Sequence, residues 1–184
     1  LVSRMLMQGT KNKTPLELEQ AIEDLGSRIS VSTSDDAIMI RANCLSTKFV
    51  ETFNLVEEIL FEPRWDEKEF DRLKNETIES IKRTKTSAST TASLVFAKLI
   101  YGDDNFLSKN TAGTEQSVEA LTLGDLKNYY VKGFASKNAN ITIAGNVSED
   151  DAMEVFKGLE SKWKQSEVTV NIPNSFNNIN STKC

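Results

Sequence analysis

Hydrophobic positions along the chain recur at two periods, and the switches between them mark out the elements. Leu1, Val2, Met5 and Leu6 are spaced for a helix and run into Gly9, a residue type that favours helix C-termini. The first ten residues therefore read as the last turns of a helix. Thr14-Pro15-Leu16-Glu17 opens a second one: Thr14 can cap, Pro15 suits the first helical position, and Glu17 can reach back to the cap. Leu18, Ala21, Ile22 and Leu25 form its inner face, and Gly26 ends it. The period then drops to two. Ile29 and Val31 alternate with serines, Ser34-Asp35-Asp36 supplies turn residues, and the run from Ala37 to Cys44 alternates again, which predicts an antiparallel hairpin.

Beyond the hairpin the helical period returns. Ser46 is the expected cap of a helix carrying Phe49, Val50, Phe53, Val56, Ile59 and Leu60, which Pro63 stops. Asp66 and Glu69 open a longer helix through Phe70, Leu73, Thr77, Ile78 and Ile81. The Ser/Thr-rich patch from Thr84 to Thr91 interrupts that pattern before Leu94 to Tyr101, giving two helices or one bent one. Gly102 to Asn105 reads as a loop. Thr114 and Thr122 cap two short helices, the second burying Leu126, Tyr129, Tyr130 and Phe134. Ala139 to Ala144 reads as a third strand, and Ser148 with Asp151 caps a last helix carrying Met153, Val155, Phe156 and Leu159. Residues 1–163 are expected to form one truncated domain, and residues 164–184, rich in Asn and Ser, a linker or a strand awaiting a partner. A hairpin plus a distant strand, with helices between, indicates α+β: a small antiparallel or mixed sheet covered by helices. At least one more hairpin is expected upstream of the first helix to complete that sheet, the chain reading as a piece of a longer polypeptide.

Composition narrows the chemistry. The 184 residues are 39% hydrophobic and 27% charged, with 22 basic against 27 acidic side chains and a net charge of −5, enough for one globular core. That balance, with no basic run longer than a pair, argues against nucleic acid, and no apolar stretch is long enough to span a bilayer. Histidine is absent. Every mechanism that needs an imidazole as base or zinc ligand is thereby removed from this chain. Cys44 and Cys184 are too few for a disulfide framework and too far apart for a CxxC motif; Cys44, within an alternating run, reads as a small buried hydrophobe. Asp35-Asp36, Asp103-Asp104 and Glu149-Asp150-Asp151 fall at turns or a helix start, where backbone hydrogen bonding and the helix dipole favour acids. The cluster Lys82-Arg83 and Lys85 reads as a solvated helix end. Phosphate-binding, calcium-loop and serine-hydrolase motifs are missing.

The order of segments carries more than any one of them. Met5-Leu6-Met7-Gln8-Gly9-Thr10-Lys11-Asn12-Lys13-Thr14, then Glu17 to Gly26 and the Ser-rich hairpin, resembles the M16 metallopeptidases, the family of insulinase, pitrilysin and mitochondrial processing peptidase. The resemblance continues through Phe61-Glu62-Pro63, Phe70 to Ile81, Gly113 to Ser117, Leu121 to Phe134 and Asn140 to Gly145, covering roughly residues 1 to 160. It implies the M16/LuxS-like metallohydrolase fold. Active domains of that family carry His-x-x-Glu-His on the first helix and a third, carboxylate ligand on a later one. Matched onto this chain, the motif's Glu falls on Ser3, its second His on Arg4 and the third ligand on Ser80, one past Glu79. Arg is a permanent cation that repels zinc, and Ser is a weak neutral ligand.

The resemblance therefore implies a catalytically silent domain, with no metal or cofactor held here and zinc in a partner domain. It would form chamber wall and peptide-holding surface in a clamshell with other M16 domains of the same polypeptide or a partner subunit, probed by extended peptides rather than nucleic acid. The alternative is a zinc-less scaffold domain of a larger assembly with no peptidase activity. As to compartment, the resemblance leans toward the bacterial periplasm or cell envelope.

Overall fold

The computed structural model describes residues 1–34, 37–103 and 105–163, and within these the chain forms two compact units. The first comprises residues 1–73 and 122–163, the second residues 74–121.

Unit one is built on a helix, a helix and a hairpin. α1 (Val2–Leu6) buries Met5 and Leu6, and the chain then turns at Gly9, whose φ of +95° belongs to the left-handed region. A Cβ there would stand 2.6 Å from the Lys13 carbonyl, so only glycine fits. The turn is fixed from outside as well: Thr10 bridges to Pro63, and the Lys11 and Arg64 amides donate to the Glu62 and Gly9 carbonyls. α2 (Pro15–Asp24) has the expected reciprocal cap, the Glu17 amide donating to Thr14 Oγ1 at 3.3 Å and the Thr14 amide to Glu17 Oε2 at 2.7 Å. β1 (Arg28–Thr33) and β2 (Ile38–Asn43) pair antiparallel with Val31 opposite Ile40, confirming the hairpin; its turn residues Asp35 and Asp36 lie outside the described residues.

α1 and α2 pack on β1, and α3 (Phe49–Phe61) packs on β2. Leu6, Leu18, Ile22, Ile29, Leu55 and Ile59 make the core between them. Ser46 does not cap α3. It opens a short 3-10 turn, Ser46–Lys48, and the cap position falls on Lys48, which offers no side-chain acceptor. At the start of α4 (Glu67–Lys85), Asp66 Oδ1 accepts from the Lys68 and Glu69 amides at 2.9 and 3.2 Å, while the Glu69 carboxylate pairs with Arg72 rather than reaching back.

α7 (Leu123–Gly133) is capped by the Thr122 and Asp125 pair, and α8 (Glu149–Lys162) by Ser148. α8 lies along α3. Along α7, Leu126, Tyr130 and Phe134 recur every four residues and face inward, but Tyr129 is 58% exposed, off that stripe. Met153 of α8 is likewise exposed. The predicted strand at Ala139–Ala144 is a larger departure: the segment joins no ladder, and among the described residues the sheet has two strands. Alternation specifies a strand only when an edge is within reach, and here a cleft separates the segment from β2.

Unit two is helical. It holds the second half of α4, then α5 (Ala88–Tyr101) and α6 (Glu115–Ala120). The Ser/Thr patch resolves into two helices, because Ser87 accepts from the Thr90 amide and starts α5 afresh. Lys74 Nζ donates to the Leu121 carbonyl at 2.8 Å, and Lys85 pairs with Glu115 at 2.5 Å. No helix among the described residues is long and apolar enough to cross a membrane. The tail expected at residues 164–184 lies outside the described residues. The α+β expectation holds, with more helix than sheet.

Candidate functional site

In unit one the positions matched to the metal motif sit side by side on α1 and point different ways. Ser3 is inward, 6% exposed, and its Oγ accepts a hydrogen bond from Thr33 Oγ1 at 2.8 Å, which ties α1 to the end of β1. Arg4 is on the exposed face, its carbonyl accepting from Gln8 Nε2 at 3.2 Å. In unit two, Ser80 lies on the exposed face of α4, where its carbonyl accepts from Thr84 Oγ1 at 2.9 Å; the neighbouring Glu79 is engaged with Lys82 at 2.9 Å.

These residues do not fit a zinc ion. A guanidinium repels the cation, Ser3 is held by Thr33, Ser80 is a neutral hydroxyl at the surface, and the one nearby carboxylate is paired to a lysine. Among the described residues no three of His, Cys, Asp and Glu stand close enough to hold a metal. No chemical step is assigned to them.

Other polar groups, not singled out by sequence pattern, are placed with more care. Glu58 accepts from Thr10 Oγ1 at 2.5 Å and from Lys13 Nζ at 2.6 Å. Burial pushes the Glu58 carboxyl up, but the hydrogen bonds from Lys13 and Thr10 outweigh it and hold the group below its ordinary value. Glu57, only 7% exposed, is met by Lys162 from α8. Tyr130 donates its hydroxyl to the Leu60 carbonyl, and burial raises its phenol to about 12. The acids could have been suspected, since Glu57 lies four past Phe53 and three before Leu60, on the face of α3 that goes inward. The partners, 45 to 105 residues away, could not.

Unit one holds a cleft of about 590 Å3. β2 forms one side, residues 138–147 the other, and Phe49, Phe53, Val56 and Leu60 of α3 the floor. Cys44, expected as a small buried hydrophobe, is instead a free thiol of intermediate exposure among the residues that line it.

A hairpin backed by three helices, followed by a helical second unit and a return to the first, defines the α+β class that the resemblance to the M16 metallopeptidases implies. Comparison with known proteins agrees. The profile described as insulinase (peptidase family M16) matches residues 1–102, and that of the peptidase M16 inactive domain matches residues 120–182. The chain belongs to peptidase family M16. It is 24% identical over 182 residues to a probable mitochondrial-processing peptidase subunit beta of Arabidopsis thaliana, covering 95% of this chain and 34% of that protein. It is 23% identical over 166 residues to the uncharacterized zinc protease YmxG of Bacillus subtilis, covering 89% and 40%. The crystal structure of a peptidase M16 inactive domain from Pseudomonas fluorescens superposes with a TM-score of 0.86 at 23% identity, covering 94% of this chain and 42% of that one, a likeness of fold. The chain thus spans between a third and a half of the length of these relatives.

Proposed function

We propose that this chain is a catalytically silent domain of an M16-type zinc peptidase. In this reading it builds part of a chamber wall and holds an extended peptide, while a zinc-bearing domain of the same polypeptide, or of a partner subunit, performs hydrolysis. The observation that carries the proposal is Ser3: the position matched to the water-activating carboxylate is buried and committed to Thr33, a structural bond joining helix to sheet. The zinc-protease name belongs to the Bacillus relative and supports the metal only for the parent. In this reading the residues of this chain pack, cap and pair, and the activation of water is left to the zinc-bearing domain.

The test is zinc content. The native polypeptide, captured from its source cells with an antibody raised against these 184 residues, is expected to carry about one zinc per polypeptide or per stable pair, and to cleave an unfolded peptide in a chelator-sensitive manner. Native material free of zinc and inert toward peptides would overturn the proposal in favour of a scaffold domain.

A further inference from the structure

We propose that the outer face of the β1–β2 hairpin is a docking surface for an acidic polypeptide segment, one that lies extended and carries carboxylates at alternate positions. The proposal does not rest on the peptidase reading. Its support begins with the register. Arg28 stands opposite Asn43, Ser30 opposite Arg41 and Ser32 opposite Met39. Successive side chains of a strand point to opposite faces, so these six share one face, while Ile29, Val31 and Ile40 take the other, toward the core. All six are exposed.

The chemistry of that face is one-sided. It holds two guanidiniums, two hydroxyls and an amide beside one thioether, and no acid. Neither arginine has an ion pair among the described residues; Arg41 donates from Nη2 to Met39 Sδ at 3.1 Å, a weak acceptor. Acids are not in short supply. The chain has 27 of them against 22 bases, and elsewhere in unit one Lys13, Lys48, Arg64, Arg72 and Lys162 are each paired. A glutamate at position 30 or 43, directly across from an arginine, would stabilise the hairpin at its own surface. Serine and asparagine stand there instead, which leaves both cations to an anion from outside.

Spacing narrows the ligand. Arg28 and Arg41 are diagonal neighbours, about 7–8 Å apart. In an extended segment, alternate side chains leave the same side about 6.6–6.8 Å apart, so two acids separated by one residue meet the two arginines together. Each guanidinium fork matches a carboxylate through two parallel hydrogen bonds. Ser30 and Asn43, across the ladder from the arginines, add uncharged donors beside them. A nucleic acid fits less well, because the chain's net charge of −5 repels a dense polyanion, whereas a short segment with a few carboxylates meets this face alone.

The experiment follows the peptide Ser-Glu-Ser-Glu-Ser-Glu-Ser, carrying a dye of zero net charge, by fluorescence anisotropy against the 184-residue chain in about 20 mM salt, where screening is weak. Binding is expected in the submillimolar range, since exposed ion pairs each contribute little. The matching glutamine peptide should bind at least fivefold more weakly, and Arg28→Gln/Arg41→Gln should weaken the glutamate peptide by the same factor. Arg28→Glu/Arg41→Glu should reverse the preference toward Ser-Lys-Ser-Lys-Ser-Lys-Ser. A measurement on the unsubstituted chain removes any dependence on how the variants fold: backbone amide resonances of residues 28–32 and 39–43 should shift as the glutamate peptide is added. Equal binding of the glutamate and glutamine peptides, or resonance shifts confined to other residues, would overturn the proposal. So would tighter binding of a single-stranded oligothymidine than of the glutamate peptide, which would make the ligand a nucleic acid. Shifts of the same amides with protein concentration alone would overturn it in favour of a second copy of the chain.

Discussion

Tyr130 fastens α7 to the end of α3, and removing only its hydroxyl isolates what that bond contributes. The Leu60 carbonyl belongs to the last turn of α3, where no further helical amide is available to it. Tyr130 satisfies it from the side. In Tyr130→Phe the ring stays against Trp65 and Phe134, with centroids 5.4 and 4.7 Å away, so aromatic packing is conserved and the carbonyl of a buried residue loses its donor. An unsatisfied buried acceptor costs about 1–3 kcal/mol, and roughly 1.5 kcal/mol is expected here. Tyr130→Ala adds the loss of the ring, for a total of about 3–5 kcal/mol. It also frees Trp65, whose backbone φ of +52° is unfavourable for a side chain of that size and is held by this packing. Urea unfolding followed by tryptophan fluorescence at pH 7 measures both variants. The phenol adds a second readout. Its folded value of about 12 lies above the unfolded value near 10, so the protonated form is favoured in the fold. The contribution is fully present below pH 10 and is lost as pH rises toward 12. The stability gap between parent and Tyr130→Phe should therefore narrow over that window. A phenylalanine variant within 0.3 kcal/mol of the parent at pH 7, or a gap that does not change between pH 9 and 11.5, would refute the reasoning.

Two further perturbations test the frame around α1 and α2. Thr14→Ala removes one half of the reciprocal cap and should lower stability by about 1 kcal/mol, with Thr14→Ser restoring most of it, by the same urea assay. Lys13→Met leaves Glu58 with burial and Thr10 but without its cation. A carboxyl held below its ordinary value stabilises the fold above that ordinary value and ceases to do so as pH falls through the folded one. Losing Lys13 raises the folded value, so acid unfolding followed by circular dichroism should begin at a higher pH in the variant; an unchanged midpoint would remove Lys13 from the account.

What could be read in the sequence was local. The caps at Thr14, Thr122 and Ser148 each involve residues three apart, and all form as the spacing requires. The hairpin register follows from Ile29 and Val31 opposite Ala42 and Ile40, which alternation alone aligns. The failures are tertiary. Ser46 is a good capping type, but α3 starts a turn later, where the chain leaving β2 meets the core. Ala139–Ala144 has strand chemistry, and its pairing depends on a neighbour that local pattern cannot supply. Tyr129 and Tyr130 are adjacent and similar, and only packing on α3 decides which goes inward. The candidate site divides the same way. That Ser3, Arg4 and Ser80 are unsuited to zinc is a matter of residue type, visible at once; that Ser3 binds Thr33, thirty residues on, is a matter of fold.

The Ser3 bond also bears on what a metal set at the matched positions would require. A carboxylate placed at position 3 would enter a nearly closed space whose hydrogen-bond donor is the Thr33 hydroxyl, and a buried charge with so little compensation costs several kcal/mol. An imidazole at position 4 without that carboxylate gains a ligand and no activated water. Each single substitution is thus unfavourable or idle, and the third position, Ser80, would still offer a hydroxyl. Serine at position 3 stabilises the present fold because it is small, neutral and able to accept from Thr33. On the reading proposed above, the helix-to-sheet contact that Ser3 makes with Thr33 therefore stands against a metal set at these positions.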